Sequence, residues 1–153
     1  MKIRQLSSVF LLLIANLHVH AGAWDTGPFD NDDALDWAWA LESSTDLSVV
    51  KRALESVGES GSYIQAPTAS EAIAAAEVVA ALKGKPHALL PENVLAWVEE
   101  HSLDGNEALV ELSIQVIARV QDSDESELAQ LWSDSQLLKE WQTGLSDLKK
   151  RLQ

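Results

Sequence analysis

The sequence predicts an all-α fold, a single irregular bundle of about six to seven helices. Three observations carry this. Apolar residues recur at spacings of three and four in one segment after another, the period of a helix face. Glycine and proline fall between those segments, where helices stop and start. No stretch alternates apolar and polar residues over the length a strand needs. The chain has 153 residues, 46% of them hydrophobic and 23% charged. That balance supports one packed core and argues against disorder.

Residues 22–29 read as a turn, because Gly27-Pro28 cannot continue a helix. A first helix is expected from about residue 30 or 31 to 42. Asp30 is its expected cap, Asp32 and Asp33 suit the positive end of its dipole, and Phe29 is placed as a staple. A second helix over 46–57 places Leu47, Val50, Leu54 and Val57 on one face, and Gly58 and Gly61 end it. Thr68-Ala69-Ser70-Glu71 is a capping-box pattern opening a third helix that runs to about residue 83. Its alanine-rich stretch lets a neighbour approach closely, which places it near the centre. Gly84-Lys85-Pro86 stops it.

Pro91 suits the start of a fourth helix reaching about residue 101. Asp104-Gly105-Asn106 makes a turn, and a fifth helix follows over 106–121. Ser123 and Asp124 are expected to cap a short sixth helix that contains Leu128, Leu131 and Trp132. A last helix over 134–152 carries the stripe Leu138, Trp141, Leu145, Leu148 and Leu152. Lys149, Lys150 and Arg151 lie at its negative end.

Residues 1–21 have the layout of a cleavable export signal. Lys2 and Arg4 precede an apolar run, and Val19-His20-Ala21 offers a peptidase site. The run is about half of the roughly 20 residues a membrane span requires. Export is therefore expected, to the periplasm or beyond the cell, with a mature domain over 22–153. No later stretch is long and apolar enough to span a bilayer.

The chain carries 24 acidic and 11 basic side chains, net −13. Lys2 and Arg4 are the only charges before Gly22, so the mature domain would be at −15. Such a charge repels nucleic-acid phosphate and anionic lipid and favours a basic partner. The absence of cysteine excludes disulfides and thiol catalysis.

Residues 22–41, GAWDTGPFDNDDALDWAWAL, resemble the opening of a bacterial family known as domain of unknown function 4259. Its members begin with Gly-Ala-Trp-Gly and continue through Gly-Pro-Phe into Asn-Asp-Asp-Ala-Leu-Asp-Trp. The chain matches at Gly22, Ala23 and Trp24, at Gly27, Pro28 and Phe29, and through Asn31, Asp32, Asp33, Ala34, Leu35, Asp36 and Trp37. It departs at Asp25, where the family has glycine. The resemblance points to Gly22 as the first residue of the domain and implies no activity.

The candidate binding residues lie in the same stretch: Trp24, Asp25, Asp30, Asp32, Asp33, Asp36 and Trp37. Clustered carboxylates can hold a hard cation or split their pKa values for acid-base work. Capping and dipole complementarity explain Asp30, Asp32 and Asp33 without either. Trp37 and Trp39 lie about 200° apart on a helix, so they cannot both point inward. An exposed tryptophan beside carboxylates suits a cationic partner.

Outside this stretch the signals are weaker. His87 and His101 have no metal-binding spacing. Gly58-Glu59-Ser60-Gly61-Ser62 lacks the final glycine and the preceding strand of a nucleophile elbow. Asp122, Asp124 and Glu127 lack the glycine of a calcium loop. No catalytic residue and no cofactor are therefore assigned. The expectation is a non-enzymatic, inhibitor-like or immunity-like protein that binds a basic partner in the cell envelope. The alternative is a divalent-cation-binding protein or metal-dependent hydrolase built on the aspartates.

Overall fold

In the computed structural model, which describes residues 25–153, seven α-helices follow one another and no strand forms among the described residues. They are α1 (Asp32–Glu42), α2 (Ser48–Glu59), α3 (Ala66–Leu82), α4 (Glu92–Glu99), α5 (Ala108–Val120), α6 (Glu127–Ser133) and α7 (Leu138–Leu152). The proposed leader over 1–21 and the candidate Trp24 lie outside the described residues.

Alanine explains where α3 sits. From Ala69 to Ala81 every residue except Glu71 is buried, so this helix is enclosed on all sides. It touches each of the other six helices. Small side chains let those neighbours approach near the short end of the usual 8–10 Å axis separation. Alanine also has the highest helix propensity, so the sequence spends no stability on making this axis. The surrounding helices supply the bulk: Leu41, Leu54, Ile117, Leu148 and Leu152 are all fully buried.

Several boundaries differ from the sequence expectation: α7 begins at Leu138 rather than near residue 134 and α2 lies two residues later, at Ser48–Glu59, and three further differences have a clear local reason. Asn31, not Asp30, caps α1: its Oδ1 accepts the Ala34 N–H at 2.8 Å. Asn31→Ala is expected to lower unfolding free energy by about 1 kcal/mol, read as a lower urea midpoint at unchanged slope. α3 begins at Ala66, two residues before the capping box, with Pro67 in its first turn. There the missing N–H of proline costs nothing. The Ala66 N–H is satisfied from far along the chain, by Glu127 Oε2 at 2.8 Å. α6 is capped by Ser126, whose Oγ accepts the Ala129 N–H, rather than by Ser123 or Asp124. Ser126 is held there by a lone bridge, in which Ile64 N–H donates to Glu125 O and Glu127 N–H donates to Ile64 O.

Two arginines tie distant segments together. Arg119 donates to Val57 O, Gly61 O and the Glu125 carboxylate, closing the end of α2 onto α5. Arg151 reaches from α7 to Glu77, which is only 2% exposed in the middle of α3. The pair is bidentate, Nη1 to Oε2 at 2.7 Å and Nη2 to Oε1 at 2.8 Å. Burial alone would lower the guanidinium pKa, but the bonds to Glu77 and Asp147 outweigh it and hold the pKa above its ordinary value.

Candidate contact surface

The turn that opens the described chain depends on Gly27. The Gly27 N–H donates to Asp30 Oδ2 at 3.0 Å, and Asp30 N–H returns a bond to Gly27 O at 3.1 Å. A Cβ on Gly27 would meet Asp30 Oδ2 at 2.2 Å, so no other residue fits without moving the carboxylate. This turn uses up Asp30. Asp25 is similarly local, its Oδ1 accepting the Thr26 N–H.

The aspartate run therefore divides. Asp25 and Asp30 border a cleft of about 360 Å³, walled also by Ile73, Leu128, Trp132 and Trp141. The two indoles are stacked, with centroids 6.1 Å apart. Asp32, Asp33 and Asp36 instead line the first turns of α1. Glu71, in α3, comes up beside them and was not among the residues singled out from the sequence. It lies 35 residues after Asp36, and only the packing of α1 on α3 brings it near.

These acids repel one another. The Asp33 pKa is raised by partial burial and then by Asp32 and Asp36. Glu71 is raised by burial and then by Asp33. Among the described residues none of the four takes part in an ion pair. A carboxyl whose folded pKa exceeds its unfolded value binds more protons folded than unfolded. Stability then falls as pH rises from the ordinary carboxylate range through the raised value. Glu71→Gln is accordingly expected to raise Tm at pH 7 by on the order of 1 °C, a small effect because solvent screens the patch. The gain should vanish near pH 3 in the same melting assay.

The tryptophans of α1 divide as their helical angle requires. Trp37 is 7% exposed and belongs to the core, whereas Trp39 is 68% exposed. Trp37 is thus placed for packing, and Trp39 is the indole offered to solvent. Asp32, Asp36, Trp39, Ala40 and Ser43 are all exposed at helical spacing, making an acidic strip that ends on an indole.

The remaining motifs have structural roles. His101 stacks on Trp97 at 3.7 Å, its Nδ1 2.7 Å from Trp97 O. The Trp97 indole N–H donates to Ser44 O. His87 Nδ1 accepts the Leu89 N–H within its loop. Ser60 Oγ donates to Ser56 O at the end of α2. Asp122 Oδ1 accepts the Asp124 N–H, and Glu127 serves α3 as described. No group of three or more His, Asp or Glu side chains suited to hold a metal ion occurs among the described residues. No described helix is long and apolar enough to cross a membrane.

No curated protein and no solved structure matches the chain. The model of the family described as "Domain of unknown function (DUF4259)" matches residues 22–144, most of the chain, and begins at the glycine that the opening motif marks. By that match the chain belongs to this family.

Proposed function

We propose that this is an exported, non-enzymatic domain that binds a basic protein in the cell envelope through the exposed strip of α1. The carrying observation is Trp39, 68% exposed on a helix face that also presents Asp32 and Asp36. A solvent-facing indole gains little in the isolated chain. Against a lysine or arginine it gains apolar burial and a cation–π contact, the pairing that hot spots favour. The carboxylates around it steer a cationic partner and add to the long-range attraction of the whole acidic domain. An inhibitor or immunity-like role fits such a surface, since it needs affinity and no chemistry.

Affinity capture from an envelope extract tests this reading. A basic protein should be retained at about 50 mM salt and released as salt rises, because exposed charges are screened within about 10 Å at 0.1 M. Recovery of nothing at low salt would count against it.

A second reading, cation binding, would relieve the repulsion that raises the Asp33 and Glu71 pKa values, although Asp32, Asp33, Asp36 and Glu71 do not form a group suited to hold an ion as they stand. It requires a saturable rise in Tm with millimolar calcium, magnesium or manganese. The protein-binding reading expects no saturable shift in that titration.

A further inference from the structure

We propose that residues 145–152, about the last two turns of α7, form a strap that lifts from the bundle as a unit about Gly144, with the Arg151–Glu77 pair as its latch. This inference does not depend on the contact surface of α1. The hinge is the first argument. Gly144 lies within α7, where glycine weakens a helix relative to alanine. Its neighbours weaken the same turn. Thr143 Oγ1 donates to Lys139 O at 2.8 Å, and Ser146 Oγ donates to Gln142 O at 2.9 Å. Hydroxyls that bond back to the fourth carbonyl before them slightly destabilise a helix and often bend it. Thr143, Gly144 and Ser146 together set a joint in α7. The family match also stops at Gly144, so the strap lies beyond the residues it covers.

The layout beyond the joint is the second argument. Leu145, Leu148 and Leu152 are buried and hold by apolar contact, which has no fixed direction. The polar ties to the rest of the bundle gather at the far end. Arg151 reaches Glu77 and Lys85 O, and Lys83 Nζ donates to Leu152 O. A hinge, an apolar stripe and a pin at the far end are the parts of a strap.

The third argument is Glu77, the one charged side chain buried among the described residues. Packing accounts for the alanines around it but not for a carboxylate, since an apolar residue there would hold the closed form about as well. A strap that lifts supplies a reason. With the strap up, Glu77 faces water and keeps that side of α3 solvated. With it down, the guanidinium of Arg151 meets the carboxylate in the bidentate pair. Arg151 has a partner in both forms, because Asp147 lies within the strap and accepts from its Nε at 2.7 Å. Lifting exposes the three leucines, so the open form is the minor one and Glu77 is enclosed in the form that dominates.

Hydrogen exchange of the full chain, read amide by amide in rising urea, tests this. The strap is too short to hold as a helix on its own in water, so it loses protection when it lifts. The amides from Leu148 to Leu152 should share one opening, with less protection and a shallower urea slope than the amides of α2 and α3. Strap amides that follow the slope of α2 and α3 overturn the proposal. Asn31→Ala separates the two kinds of opening. The α1 cap stays in place when the strap lifts, so this variant should lose about fivefold protection in α2 and α3 and none in the strap. Equal losses in strap and core overturn the proposal. So does protection that fades residue by residue from Leu152 back to Leu145, which is fraying and not a unit.

Discussion

Arg151→Ala is expected to cost about 3–5 kcal/mol, because it leaves Glu77 as an uncompensated charge inside the bundle. The carboxylate is 2% exposed, and the helix that carries it touches every other helix. It cannot turn to water without moving the axis of the fold. The bonds lost at Asp147 contribute little, since that side chain is largely exposed. Domains of this size are stable by only about 5–15 kcal/mol, so the loss takes a large share. It should appear as a fall in Tm of roughly 10–20 °C. The charged pair is not itself a strong source of stability: burying two ions consumes most of what their attraction returns. Replacing both residues, Glu77→Met with Arg151→Met, should therefore recover most of the loss. A single variant within about 1 kcal/mol of wild type would show that Glu77 reaches solvent or another donor.

That latch marks what the sequence made legible and what it did not. Helical periodicity, glycine stops and the alanine run are local signals, and they yield seven helices with α3 at the centre. The stripe of α7 is buried at Trp141, Leu145, Leu148 and Leu152, as its spacing requires. Every feature that pins one segment to a distant one was hidden. Glu77 looks like one more solvated glutamate on a helix, and Arg151 like a residue suited to a helix end. Only their separation of 74 positions, closed by packing, makes them a pair. The start of α3 moved for the same reason: its first N–H is satisfied by Glu127 from α6, which no local pattern encodes. Asp30 suits a cap by type and position, but the tight turn at Gly27 claims its carboxylate first.

The candidate site was legible in part. The sequence singled out the aspartate run and predicted that one of Trp37 and Trp39 would face outward. It could not say that Asp25 and Asp30 would turn towards a cleft while Asp32, Asp33 and Asp36 stay on α1. Nor could it bring in Glu71, whose approach depends on the packing of α1 against α3.

The exposed indole carries the functional account. Trp39→Ser removes about as much apolar surface as any single change on this face can, and it leaves the core untouched, since Trp39 is 68% exposed. Stability should stay within about 0.5 kcal/mol of wild type. A tryptophan at the centre of an interface contributes about 2 kcal/mol or more, a loss of at least about thirtyfold in affinity. Neutralising Asp36 with asparagine should act differently, slowing association and flattening the salt dependence with a smaller loss of affinity.

The most direct measurement is a paired capture from one envelope extract at low salt, with wild type and Trp39→Ser at equal loading and their melting curves recorded alongside. The account predicts a basic protein retained by wild type and lost from Trp39→Ser at unchanged Tm. Equal retention by both chains would contradict it and move the contact surface off α1.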